Sequence, residues 1–359
     1  MAACSKHAER ASNPESIPQP ILVPALTIGS ETSGDGVLFG SIGGLVAVNS
    51  TGRIYVGDRQ ASVIYVFTAQ GKLIDEIGQK GEGPGEFARL STIRIGPSDT
   101  LYAFDSRVDR ISAFEPTGHR LAYGFKVPGD SMGSLPDQFV GVLDTGFLFT
   151  WVENPGLEDG TGLTDLYVYA RHVNWPGLRV QKPLVRLPGK SWLVAGTENG
   201  FTVSAIPFRP VPLIHLGPGG HVYSGLSASV DVAITTASGV PIGSITHELE
   251  AIPVLSAELE EYLEDFSSDR AQRLRPFTPK AKPAYSSFIV DDEGRIWVRL
   301  TPADYEADTS SWLILDTESR IRGQVTLPSS VRLEVIAAGR AYATSSADGL
   351  TLEIFEVQE

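Results

Sequence analysis

The chain has 359 residues, of which 42% are apolar and 20% charged, and a formal net charge of −14 at pH 7. That composition supplies a large buried core and excludes general disorder, while the acidic balance excludes a nucleic-acid backbone as partner and disfavours an anionic membrane surface. The one cysteine, Cys4, excludes an internal disulfide and a thiolate zinc cluster, and no apolar run reaches the roughly 18 residues needed to span a bilayer as a helix.

Residues 1–20 are polar and proline-containing with no apolar periodicity, which predicts a flexible N-terminal tether. Within it, Ala2-Ala3-Cys4-Ser5 resembles the end of a bacterial lipoprotein signal, where small residues precede a cysteine that becomes lipidated. Only three residues precede Cys4, without the basic segment and apolar stretch of such signals. Either the true start lies upstream and Cys4 carries a lipid anchor, or the match is accidental. The resemblance implies a bacterial envelope or periplasmic location.

From residue 21 onward a short phrase recurs. It reads Gly52-Arg-Ile-Tyr-Val, Asp99-Thr-Leu-Tyr-Ala, Thr145-Gly-Phe-Leu-Phe, Gly220-His-Val-Tyr-Ser, Gly294-Arg-Ile-Trp-Val and Gly339-Arg-Ala-Tyr-Ala. Each copy is a turn residue followed by the apolar, aromatic and small residues of a strand leaving a tight turn. The copies start 47, 46, 75, 74 and 45 residues apart, so three intervals share one period and two carry an insertion. A strand-rich period of about 40–50 residues is that of a propeller blade. The prediction is an all-β, six-bladed propeller of four-stranded antiparallel blades over residues 21–359.

The first blade is predicted from Leu45-Val-Ala-Val, Arg53 to Gly57, Val63-Ile-Tyr-Val-Phe and Lys72 to Ile77, and the second repeats the plan up to Val127. Asp58 and Asp105 fall at the same offset after their second strands, which predicts bonds to loop amides. These two blades resemble NHL repeats, whose pattern is a strand, Gly-x-Ile-Tyr-Val-x-Asp, a loop, and Arg-Ile-x-Val-Phe ending at a glycine. The linker Gly78-Gln-Lys-Gly-Glu-Gly-Pro-Gly-Glu-Phe87 is also NHL-like. It is not a phosphate loop, because a strand and not a helix follows it and Pro84 removes an amide.

Later blades drift. Blade three carries its extra residues in the Pro155–Thr164 loop and the Arg186–Pro207 stretch. After blade four, Leu255, Leu259, Tyr262, Leu263 and Phe266 form a helical stripe, predicting one amphipathic helix over about 255–275 with Ser256 as its N-cap. Blade six supplies three strands, so the apolar run Ile21 to Ile28 is predicted to close the ring as its outer strand.

Function in a propeller belongs to the channel mouth, where loops and inner-strand ends converge. Arg89, Gln138, Arg209 and Tyr285 stand at the entrances of the predicted inner strands, with Arg94 further in, a set suited to holding an anionic group. The six histidines show no metal-ligand spacing, and neither a nucleophile elbow nor a nicotinamide fingerprint is present. Whole-chain periodicity resembles bacterial six-bladed envelope propellers with NHL-like repeats. That resemblance implies a monomeric, non-enzymatic binding or scaffolding module for a peptide, glycan or small anionic ligand, without a cofactor. The alternative it leaves is a divalent-metal hydrolase or lyase of the lactonase kind, for which calcium would be the cofactor.

Overall fold

The computed structural model describes residues 19–31, 36–129, 134–153, 162–197, 200–347 and 349–358; Cys4 and the tether up to residue 18 lie outside them. It is a six-bladed propeller of antiparallel sheets. The chain opens with β1 (Ile21–Ile28). Blade one is β2 (Val46–Val48), β3 (Ile54–Asp58), β4 (Val63–Phe67) and β5 (Leu73–Ile77). Blade two is β6 (Leu90–Ile95), β7 (Leu101–Asp105), β8 (Arg110–Phe114) and β9 (Leu121–Lys126). Blade three holds β10 (Gln138–Leu143), β11 (Gly146–Glu153), β12 (Gly162–Asn174), β13 (Val180–Thr197) and β14 (Gly200–Ala205). Blade four is β15 (Pro212–Leu216), β16 (Val222–Leu226), β17 (Val230–Thr235) and β18 (Pro241–His247). Two helices follow, α1 (Ser256–Glu264) and α2 (Ser268–Leu274). Blade five is β19 (Tyr285–Val290), β20 (Ile296–Leu300), β21 (Thr309–Leu315) and β22 (Ile321–Pro328). Blade six is β23 (Val331–Ala337), β24 (Arg340–Ser345) and β25 (Thr351–Gln358), and β1 pairs antiparallel with β25, from Ile21 opposite Gln358 to Ile28 opposite Leu352.

The recurrent phrase works because it solves a turn and a seam together. In blade one, Asn49 Oδ1 accepts the amides of Thr51 and Arg53, and Gly52 takes the positive φ that closes the turn. Asp291 repeats the device in blade five, accepting the amides of Glu293 and Arg295. The phrase aromatics Tyr55, Tyr102, Tyr223, Trp297 and Tyr342 are all buried. They join five of the six apolar clusters, one at each junction between neighbouring blades, including the blade six–blade one junction around Tyr342, Ile54 and Ile28; the blade three–blade four cluster holds Leu148 at the same place in the phrase. Each large side chain so buried contributes about 1.5–3 kcal/mol, which makes the ring of seams the main source of stability.

The repeated aspartates knit inner-strand entrances to the second strands. Asp58 accepts amides of Gly40, Ser41, Gln60 and Ala61, and Asp105 those of Ala88, Arg89 and Arg107. In the glycine-rich linker the amides turn inward: Phe87 N–H donates to Gln79 O, Gly81 N–H to Phe87 O, and Gly83 N–H to Glu86.

Three expectations are corrected. The inserted segment forms two short helices and not one, because the chain is extended at Ser267, which begins α2 (ψ 151°). Ser256 is the first helical residue and caps nothing; Leu255 occupies the N-cap position. Blade three has five strands and not four, since the Arg186–Pro207 stretch continues β13 and adds β14 against its far end. The helices pack onto that addition: Leu263, Ala271 and Leu274 bury against Leu193 and Ile206, and Arg270 donates to the Ser204 hydroxyl at 2.6 Å and the Val203 carbonyl at 3.2 Å.

Candidate functional site

The six inner strands β2, β6, β10, β15, β19 and β23 neighbour one another around the ring and line the channel. Their first residues share one face, the mouth. On each inner strand the residue eight positions before the fourth residue of the phrase stands opposite that residue or, at a bulge, next to its partner: Ala47, Arg94, Val140, His215, Ile289 and Glu334. Every second blade therefore offers an ionisable side chain there, Arg94, His215 and Glu334. Bulges sharpen the arrangement. Inner-strand register slips between Leu333 and Val335, leaving Glu334 as the extra residue, and between Phe139 and Gly141 around Val140. An extra residue re-aims its side chain, and bulges recur beside functional sites for that reason.

Arg94 is held by backbone: Nε donates to Val140 O at 3.0 Å and Nη1 to Ile93 O at 2.8 Å. Burial pulls its pKa down to about 10, opposed by the Glu334 charge, so it stays cationic at neutral pH. His215 packs its ring against Phe288, 4.5 Å between centroids. Burial, then the Arg94 charge, depress its pKa to about 4, and the imidazole is neutral at pH 7. Burial raises the Glu334 carboxyl, against the pull of Arg332, the Gly44 amide, the Thr344 hydroxyl and Arg94. The Thr344 hydroxyl donates to Glu334 Oε1 at 3.0 Å. Two further arginines meet at the junction of blades five and six: Arg299 is half-buried, and its pKa is lowered by burial and by the like charge of Arg332.

The half-buried His215 sets a pH dependence. Its folded pKa near 4 lies below the unfolded value of 6.5, so the unfolded chain binds more protons in that window and stability falls as pH drops from 6.5 to 4, by roughly 3 kcal/mol. Glu334 shifts the opposite way and offsets part of this, since its raised pKa adds stability as pH falls. Comparing urea midpoints of wild type and His215→Leu at about pH 7 and pH 4.5 isolates the histidine; the wild type is expected to lose about 2 kcal/mol more than the variant.

Of the residues expected at the mouth, Arg94 lies on β6 and donates across to the Val140 carbonyl of β10. Arg89 is exposed at the rim, where its amide donates to Asp105. Gln138 is exposed and borders a cavity between blades three and four. Arg209 is half-buried with Nε lacking a partner, and it follows Phe208, whose ring packs on Tyr262 of α1. Tyr285 does not face the mouth: it is fully buried in the core shared by blades four and five, beside Phe288. Its inner-strand position aims an aromatic ring between sheets, where apolar area is removed from water. Sequence reasoning missed His215, Glu334, Arg299 and Arg332. The signal for the first two was the eight-residue offset that also marks Arg94.

Among the described residues no three His, Cys, Asp or Glu side chains converge as a metal site, and no helix is long and apolar enough to cross a membrane. A family model described as a 6-bladed beta-propeller, DUF5128, matches residues 28–132. No curated protein matches the chain. Among solved structures, a Bacteroides fragilis protein taken to be exported aligns over 98% of both chains at 14% identity and a TM-score of 0.56. A member of the DUF4221 family from Bacteroides vulgatus aligns over 95% of this chain and 99% of its own at 10% identity and a TM-score of 0.55. At these identities the likeness shows the fold.

Proposed function

We propose that the protein is a monomeric, non-enzymatic ligand-binding propeller of the bacterial envelope that takes a small anion, or an acidic group of a peptide or glycan, at the channel mouth. The observation that carries this reading is three arginines around one carboxylate in a chain of net charge −14: Arg299 and Arg332 stand close enough to repel, Arg332 Nε lies 3.9 Å from Glu334 Oε1, and Arg94 is held by carbonyls. An anion placed between like charges relieves their repulsion and gains charge-assisted hydrogen bonds. Arg94, His215 and Glu334 sense one another's charge and bring a single carboxylate; calcium instead asks for six to eight oxygen ligands. The envelope location rests on Cys4 and the tether composition.

The test is thermal melting with succinate, galacturonate and N-acetylglutamate at about 10 mM, and with calcium and zinc, followed by calorimetry on any hit. At least one anion is expected to raise Tm, and Arg94→Met and Arg332→Ala are each expected to weaken its binding about tenfold. Stabilisation by a divalent ion with none by anions would replace this reading with the metal hydrolase or lyase.

A further inference from the structure

We infer that the cavity between blades three and four is a second ligand site, which takes a small apolar molecule bearing a neutral carbonyl acceptor. The cavity is built by the enlargement of blade three. Beyond Glu153, where β11 ends its pairing with β12 at Tyr167, β12 and β13 continue without it, and this carries Trp192 above the ordinary height of the blade. The space enclosed is about 310 Å³. Its apolar walls are Val152, Leu166 and Val168 from blade three and Pro212 and Ile214 from blade four. The helical insertion braces the same extension through Leu193 and Ile206.

Two polar atoms in this wall are buried and unpartnered: the Thr150 hydroxyl, on a residue only 4% exposed, and the Trp192 indole N–H. A buried donor left unmade is costly, and native structures rarely keep two in one cavity without a partner to meet them. The indole can only donate, and the hydroxyl can donate or accept. A carbonyl oxygen on the occupant accepts from the indole N–H. An anion is disfavoured, because no lysine or arginine is among the described residues that line this cavity. An apolar body bearing a ketone, amide or ester therefore matches the walls and the indole donor together. This inference stands apart from the axial site and uses none of its residues.

The test uses an isosteric pair of probes, acetophenone and α-methylstyrene, which differ in having or lacking the acceptor. In ¹⁵N-labelled protein the indole N–H signal of Trp192, one of five tryptophans, is assigned by its loss in Trp192→Phe. Acetophenone is expected to move that signal saturably, and α-methylstyrene to bind at least about fivefold more weakly. Trp192→Phe, read by saturation transfer on the probe, is expected to weaken acetophenone about fivefold or more while the remaining indole signals keep their positions. Arg94→Met should leave acetophenone binding unchanged, so that failure of the axial proposal and of this one are told apart. A signal that does not move saturably with either probe means that the cavity holds only water; that outcome overturns the inference, as does equal affinity for the pair.

Discussion

Deleting residues 1–28 is expected to lower stability by about 5 kcal/mol or more, whereas deleting residues 1–20 should change it by less than about 1 kcal/mol. The difference lies in one strand. β1 pairs along β25 from Ile21 to Ile28, with Ile28 fully buried, Leu26 packed on the blade six–blade one cluster and Leu22 on the blade five–blade six cluster. Burial of one such side chain alone contributes about 1.5–3 kcal/mol. Its loss also leaves β25 as an open edge with unpaired amides and carbonyls, a template for association with other chains. Urea denaturation and light scattering of the two truncations check this; equal stability of both would mean that the ring closes without β1.

Lys282→Met is expected to cost about 3–5 kcal/mol, and combining it with Glu258→Leu should recover most of that loss. Lys282 is almost fully buried, its ammonium lies 3.0 Å from Glu258 Oε1, and it donates to the carbonyls of Pro302 at 3.2 Å and Ala303 at 3.3 Å. Glu258 lies on α1, so the pair fastens the helical insertion to the entrance of blade five. Removing the cation strands a buried carboxylate, one of whose oxygens already lacks a partner. Removing both charges leaves apolar side chains of similar length, an exchange that is often neutral, and only the Pro302 and Ala303 carbonyls lose a donor. Denaturant midpoints of the two single variants and the double variant form the cycle that separates these terms. A double variant as unstable as the sum of the singles would show that the helices are held elsewhere.

How much was legible in the sequence varied with how local the cause was. The phrase at Gly52 and Gly294 encodes a turn closed by Asn49 or Asp291 and a strand with one buried aromatic, all within a few residues, so the blades could be read directly. The stripe from Leu255 to Phe266 indicated helix, but not where it would break, because the break at Ser267 lets Ala271 and Leu274 turn onto Leu193 and Ile206 from another blade. Tyr285 was misplaced at the mouth because a strand entrance does not say which face its first side chain takes; the slip in register between Tyr285 and Ser287 decides that.

By itself, then, the sequence determined the repeat: its period, its turns and its alternation of buried and exposed positions are consequences of neighbouring residues and survive without knowledge of contacts. The tertiary structure alone decided what meets across the axis. Arg94, His215 and Glu334 lie on strands far apart in the chain, and closing the ring brings them within reach of each other's charge. It also decided that β12 and β13 outgrow their blade to enclose a cavity with two unmet donors. Both features depend on how sheets pack, a sum over many weak contacts between distant residues, and no short pattern in the chain records that sum.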